Sequence, residues 1–364
     1  MNVTVVGAGI VGCAVAYELA ARGAKVRLID PRGAGQGATR ASAGMLAPQI
    51  EGHSEALLRL GLGSLDLYDS FITRVAAASE RRIEYRRTGT LQVARTDDQA
   101  RQLERDGGAL AERGVPHAIL DGARVRQLEP ALAEDIRAGL LIPQHGYVGV
   151  ATLVSALVEA ATRAGATLSA EEVRGVASVA GSVEVETSGN TLVCDVVVLA
   201  AGSWSGGIPV ASAAAVPVRP VRGQLLQLRF DRPPLSRVVW GGGGYLVPWE
   251  DGRLLVGATV EDVGFDEGVT IEGVQELLER AQALLPTAAS ARCDGARAGL
   301  RPATPDQMPI IGASSTIPGV YYATGHYRNG VLLAPITAAM IATLILDGHA
   351  RDELALVRPD RFGL

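Results

Sequence analysis

The chain has 364 residues, 48% hydrophobic and 4% aromatic, with 44 glycines and a formal net charge of −5. That length exceeds one small core and points to two lobes, while interspersed charges offer no basic stripe for nucleic acid and no polybasic tail for a membrane surface. Cys13, Cys194 and Cys293 are odd in number and far apart, and His53, His117, His145, His326 and His349 fall in no metal-ligand spacing, so neither a disulfide framework nor a metal is expected.

Residues 2–6 (NVTVV) read as a short buried strand, 7–12 as a glycine turn, 13–22 as an amphipathic helix closed by Gly23, and 25–30 (KVRLID) as a second strand. This βαβ unit opens a doubly wound sheet, and it starts too near Met1 to leave room for a cleaved signal; a cytoplasmic protein is expected. Gly7-Ala8-Gly9-Ile10-Val11-Gly12 is G-x-G-x-x-G after a strand, with Asp30 ending the next strand. The first glycine allows the tight turn, the second lets amides approach a pyrophosphate, and the third lets the helix pack closely on the strand. The helix N-terminus then favours the anion, and the acid accepts from a ribose hydroxyl. The pattern alone does not decide between FAD and NAD.

Residues 55–80, 98–114 and 151–165 have helical spacing, and 183–187 with 192–199 (LVCDVVVL) read as an alternating strand followed by a continuous apolar one. From Gly223 the texture changes to alternating runs, QLLQLRF, GYLVPW and RLLVGATVE, the last two joined by Glu250-Asp251-Gly252, a hairpin signal for antiparallel sheet. The apolar run 330–346 contains Pro335 and falls short of the roughly 20 residues that span a bilayer, so a buried helix is expected.

Three further stretches bear on the cofactor: Thr39-Arg40-Ala41-Ser42-Ala43-Gly44-Met45-Leu46, the strand-to-glycine run Asp195 to Ser205, and the C-terminal pair Gly299-Leu300-Arg301-Pro302 and Gly325-His326-Tyr327-Arg328-Asn329-Gly330. With these, nearly the whole chain resembles the FAD-dependent D-amino acid oxidase superfamily, and within it the glycine oxidase branch related to thiamine biosynthesis. The resemblance implies an α/β fold: a Rossmann-type FAD-binding domain (1–85, 143–220 and 295–364) and a substrate domain on a mainly antiparallel sheet (86–142 and 221–294). It implies FAD contacts at Gly7, Gly9, Ile10, Val11, Gly12, Asp30, Pro31, Ala38, Thr39, Ala43, Gly44, Met45, Val173, Ala201, Gly202 and Trp204. Further contacts come from His326, Tyr327, Arg328, Asn329, Gly330, Val331 and Leu332. The last stretch opens a helix whose positive end would stabilise negative charge on the reduced ring.

By the same resemblance Arg301 grips the substrate carboxylate through two parallel N–H groups, with Tyr245 supplying a hydroxyl and Arg328 shaping the site. Arg301 could instead pair with an internal acid, Arg297 being a nearby confounder, and Tyr245 could be an ordinary sheet tyrosine. The chain departs from the glycine oxidase pattern at Val260, where a bulkier methionine is common, and at Gly241 to Gly244 before Tyr245. Smaller walls suggest an N-substituted glycine beside glycine itself, with Arg40 available for a second carboxylate. No cysteine follows Cys293, so FAD is expected to be non-covalent. The implied reaction is oxidative deamination of a small carboxylate-bearing amine, with imine hydrolysis and hydrogen peroxide from oxygen, by a protein that could form a homo-oligomer. A dehydrogenase passing electrons to a quinone or carrier, and a non-catalytic flavoprotein, are the alternatives.

Overall fold

The computed structural model describes residues 1–50, 54–179 and 181–364. His53 of the histidine inventory lies outside them. The helices among the described residues are α1 (Ile10–Ala21), α2 (Glu55–Ser79), α3 (Asp97–Glu112), α4 (Gly122–Leu128), α5 (Val150–Arg163), α6 (Ile271–Leu284) and α7 (Gly330–Asp347).

A six-stranded sheet runs in the order Ile310–Ala313, Val320–Thr324, Val196–Leu199, Asn2–Val6, Lys25–Ile29, Thr167–Ser169. It is parallel apart from the edge pair Ile310–Ala313 with Val320–Thr324. The βαβ unit thus forms as its spacing predicts, except that α1 begins at Ile10, so Gly12 lies in its first turn. The run 192–199 divides at Asp195. Thr191–Cys194 joins a three-stranded antiparallel sheet and Val196–Leu199 enters the parallel one. The reason is a local clamp, in which the Asn2 amide donates to Asp195 Oδ2 at 2.7 Å and the Asp195 amide donates to Asn2 O at 3.0 Å.

The second large sheet has eight strands in the order Arg292–Ala303, Arg219–Arg229, Arg253–Gly257, Gly244–Pro248, Val238–Gly241, Thr90–Ala94, Ala138–Ile142, Ala118–Asp121. Its neighbours are antiparallel except for Val238–Gly241 beside Thr90–Ala94. The Asp251-Gly252 turn joins Gly244–Pro248 to Arg253–Gly257 as the sequence predicts, with Gly252 at φ 83°. The two longest strands, Arg219–Arg229 and Arg292–Ala303, run across the expected lobe boundaries at 220/221 and 294/295.

Helix α7 is long and apolar enough to cross a membrane by length and composition, yet it packs against α1 and α2, with two thirds of its length buried in the main core. Pro335 has no N–H for the Val331 carbonyl one turn back. Tyr68 of α2 fills that gap, its hydroxyl donating to Val331 O at 2.6 Å, and Ser64 Oγ donates to Leu332 O at 2.6 Å. Two polar side chains at consecutive turns of α2 therefore replace what the proline removes.

Candidate active site

The glycine turn divides its labour among three positions. Gly7 takes φ 102° where a Cβ would overlap the Ala200 carbonyl, and a Cβ at Gly12 would overlap the Gly7 carbonyl. Both are packing requirements. Around Gly9, by contrast, a Cβ would meet only the Thr39 hydroxyl at 3.2 Å, so this position is open. The adjacent Ile10 amide donates to Thr39 Oγ1 at 3.0 Å, and no side chain caps α1. An open glycine at the N-cap, with no side chain of its own before a helix start, is the cradle a pyrophosphate needs. At the next strand end, Asp30 accepts from the Ala8 amide (Oδ2, 2.9 Å) and the Arg32 amide (Oδ1, 2.9 Å), which holds the acid beside the turn.

From this turn a cleft runs to the eight-stranded sheet. Its walls include Gly7, Gly9, Ile10, Val11, Asp30, Ala38, Thr39, Ala43, Gly44, Met45, Ala201, Gly202 and Trp204, then Tyr245, Arg301 and the whole run His326 to Leu332. Four sequence motifs, distant in the chain, thus meet along one groove with a nucleotide cradle at one end. That shape is one an extended dinucleotide would fill.

Tyr245 and Arg301 are placed by register. Leu225 pairs with both Arg297 and Gly257, Gly257 pairs with Tyr245, and Val221 pairs with Arg301. Paired residues, and residues two or four apart on a strand, share one sheet face, so Arg297, Arg301 and Tyr245 project from the same side. Two glycines make room for them. A Cβ at Gly223 would overlap the Arg301 guanidinium, and one at Gly257 would overlap the Tyr245 ring. Arg301 Nη1 donates to the carbonyls of Arg222 (3.1 Å) and Thr259 (3.0 Å), which fixes the guanidinium flat on the sheet.

His326 is buried, and its Nε2 meets Thr337 Oγ1 of α7 at 3.0 Å. Burial pushes its pKa down to about 3, so the ring is neutral at physiological pH and serves to tie the loop to the helix. Tyr327 takes φ 47°, a left-handed conformation uncommon outside glycine. Cys13 is also buried beneath the turn, its thiol pushed up to about 12 chiefly by burial, and all three cysteines are unpaired.

Several expected positions lie elsewhere. Gly12 supports packing rather than lining the cleft, and Pro31 lies outside the wall next to Asp30. Val173 begins the strand Val173–Val179 and packs in a separate core with Val185. Arg40 lines a neighbouring cavity. Val260 is 59% exposed and does not wall the cleft. Its neighbours explain this: Thr259 Oγ1 donates to Glu261 Oε1 at 2.5 Å and Glu261 pairs with Arg222, so both turn inward and the residue between them turns out. Other wall residues escaped the sequence reading, among them Arg32 and Gly223. For Gly223, an isolated glycine within a strand was the available signal of close approach. Arg32 stacks its guanidinium 3.9 Å over the Trp204 ring and pairs with Glu267 at 2.8 Å.

Comparisons with known proteins place the chain in a family. The chain is 34% identical over 358 residues to the glycine oxidase of Geobacillus kaustophilus, covering 97% of this chain and 95% of that protein. The crystal structure of glycine oxidase from that organism superposes with a TM-score of 0.93 at 33% identity, covering 98% and 97% of the two chains. An iminodiacetate oxidase from a Chelativorans species superposes with a TM-score of 0.89 at 27% identity, covering 98% of each. Residues 2–344 match the FAD dependent oxidoreductase family, to which this chain belongs.

Proposed function

We propose that the protein oxidises glycine or an N-substituted glycine with oxygen and water, releasing glyoxylate, ammonia or the corresponding amine, and hydrogen peroxide. The observation that carries this reading is the placement of Arg301 and Tyr245 on one sheet face, lining the same cleft as the His326 to Leu332 run. The likeness to a glycine oxidase and an iminodiacetate oxidase supports it.

When bound, FAD would supply an acceptor for a hydride from the substrate Cα and pass the two electrons on to oxygen, giving hydrogen peroxide. Arg301 presents parallel N–H donors to the substrate carboxylate, and its backbone anchors keep it from swinging away. Tyr245, over Gly257, adds a hydroxyl from the same face. Arg328 and the start of α7 lie along the wall, where a helix N-terminus favours negative charge. Neutral His326 takes no proton in this scheme, so orientation carries the chemistry.

Residues 1–85, 143–220 and 295–364 form the FAD lobe in this reading, and 86–142 with 221–294 the substrate lobe. FAD is held non-covalently, and the enzyme works in the cytoplasm, with homo-oligomers compatible with the reading. The test is peroxide release under air from glycine, sarcosine, longer N-alkyl glycines, D-amino acids and proline. Turnover of glycines with peroxide supports the proposal. Reduction of the flavin without peroxide would make the protein a dehydrogenase, and no reduction by any of these amines would end the reading.

A further inference from the structure

Beside the cleft lies a second cavity of about 1110 Å³ that shares Gln36, Thr39, Ser42 and Ala43 with it. Five arginines line it, and three are matched by carboxylates. Arg81 pairs with Glu159, Arg82 with Glu250, and Arg253 with Asp251 and Glu84. Arg40 and Arg297 have no carboxylate partner among the described residues. Arg297 Nη1 donates to Gln227 Oε1 at 3.2 Å, but its Nε is buried without an acceptor. Trp249, 5% exposed on the same cavity wall, also has its Nε1 donor buried without an acceptor. Buried N–H groups are ordinarily paired, so two orphans on one wall mark a place for an acceptor.

The charges agree. Burial lowers the Arg297 pKa, and the neighbouring Arg253 and Arg40 guanidiniums lower it further, so an anion beside Arg297 would be favoured. Arg297 lies four residues before Arg301 on one strand and on the same face, which separates their α-carbons by about 13 Å. The two arginines can therefore address opposite ends of one small molecule.

We propose that Arg297, Trp249 and Arg40 form a second carboxylate site, and that the preferred substrate is a glycine whose nitrogen substituent ends in a carboxylate. The assignment rests on reading Arg301 as the group that binds the glycine carboxylate. Arg297 and Trp249 supply the buried donors, and exposed Arg40 closes the charge from the rim.

The experiment compares kcat/KM for N-(carboxymethyl)glycine and N-(carboxypropyl)glycine with that for N-ethylglycine, using the flavin-loaded enzyme, Arg297→Gln and Trp249→Phe. The parent enzyme is expected to favour a dicarboxylate at least tenfold, and each variant to lose that preference at least tenfold through KM. Parallel changes for charged and uncharged substituents would indicate general damage and overturn the site. A second measurement does not need turnover: calorimetric titration of the same proteins with glutarate and butyrate. Tighter glutarate binding that disappears in Arg297→Gln supports the site even if every glycine proves inert, an outcome that would sink the proposed function alone. Equal binding of glutarate and butyrate by the parent enzyme overturns the second site.

Discussion

The Arg301 guanidinium lies across Gly223, held there by the carbonyls of Arg222 on the neighbouring strand and of Thr259 just past the end of Arg253–Gly257. Its position therefore depends on a missing side chain as much as on its own. Gly223 has no left-handed backbone, so Gly223→Ala strains only the guanidinium and leaves the strand intact. KM for carboxylate substrates is expected to rise about tenfold or more, corresponding to about 1.4 kcal/mol, with a smaller change in kcat. Steady-state peroxide assays check this. Arg301→Ala should raise KM further, and an unchanged KM in that variant would remove Arg301 from the site.

Gly257 under Tyr245 is the contrasting case. The Tyr245 ring is rigid and 8% exposed, so it cannot move aside as an arginine tip can. Gly257→Ala is expected to cost about 1–3 kcal/mol of stability through overpacking, together with activity. Urea unfolding measures the first effect, and a midpoint equal to that of the parent protein would contradict the observed packing.

Asp30 holds the glycine turn. Its carboxylate accepts from two backbone amides and lines the cleft, so Asp30→Ala removes a support for the turn and, in the proposed function, a ribose acceptor. Hydrogen bonds to charged groups contribute about 1.5–3 kcal/mol each, which puts the expected rise in the FAD dissociation constant at about tenfold to a hundredfold. Flavin absorbance retained after gel filtration provides the readout.

Tyr68 donates to the carbonyl that Pro335 leaves unpaired, deep in the core. Tyr68→Phe keeps the ring and removes the donor. The stranded Val331 carbonyl should cost about 1–3 kcal/mol, seen as a lower urea midpoint. Pairing this change with Pro335→Ala should recover part of the loss, since an alanine N–H can bond Val331 again.

Two buried histidines, His326 and His145, have pKa values pushed down to about 3, in both cases chiefly by burial. Above pH about 6.5 they are neutral in folded and unfolded chains alike and leave stability unaffected. Below it the unfolded chain takes up protons that the folded one refuses, so stability falls as pH drops toward 3. Each histidine contributes a slope of about 1.4 kcal/mol per pH unit in that window. Unfolding free energies at pH 7.5 and pH 5 should differ accordingly, and His145→Gln should flatten the dependence by about half.

The glycine turn and Asp30 were legible because they belong to one local pattern whose spacing carries its own geometry, and the C-terminal run was legible only through its resemblance to the glycine oxidase pattern. The Asp251-Gly252 hairpin was legible for the same reason. Val260 was not: its neighbours' bonds to Arg222 and Gln224, on a strand some forty residues earlier, turn it outward. The break at Asp195 was hidden too, since its partner Asn2 lies at the other end of the sequence numbering.

The sequence by itself determined the opening βαβ unit with its glycine turn, the Asp251-Gly252 hairpin and the presence of Arg301 and Tyr245 in extended segments, because hydrophobic period and turn chemistry act over a few residues. Tertiary structure decided which of those side chains face one another. Only strand register places Arg301, Tyr245 and Arg297 on one sheet face, and only the approach of α2 to α7 pairs Tyr68 with the gap left by Pro335. Such long-range pairings depend on the closing of the whole sheet and core, which no local pattern encodes.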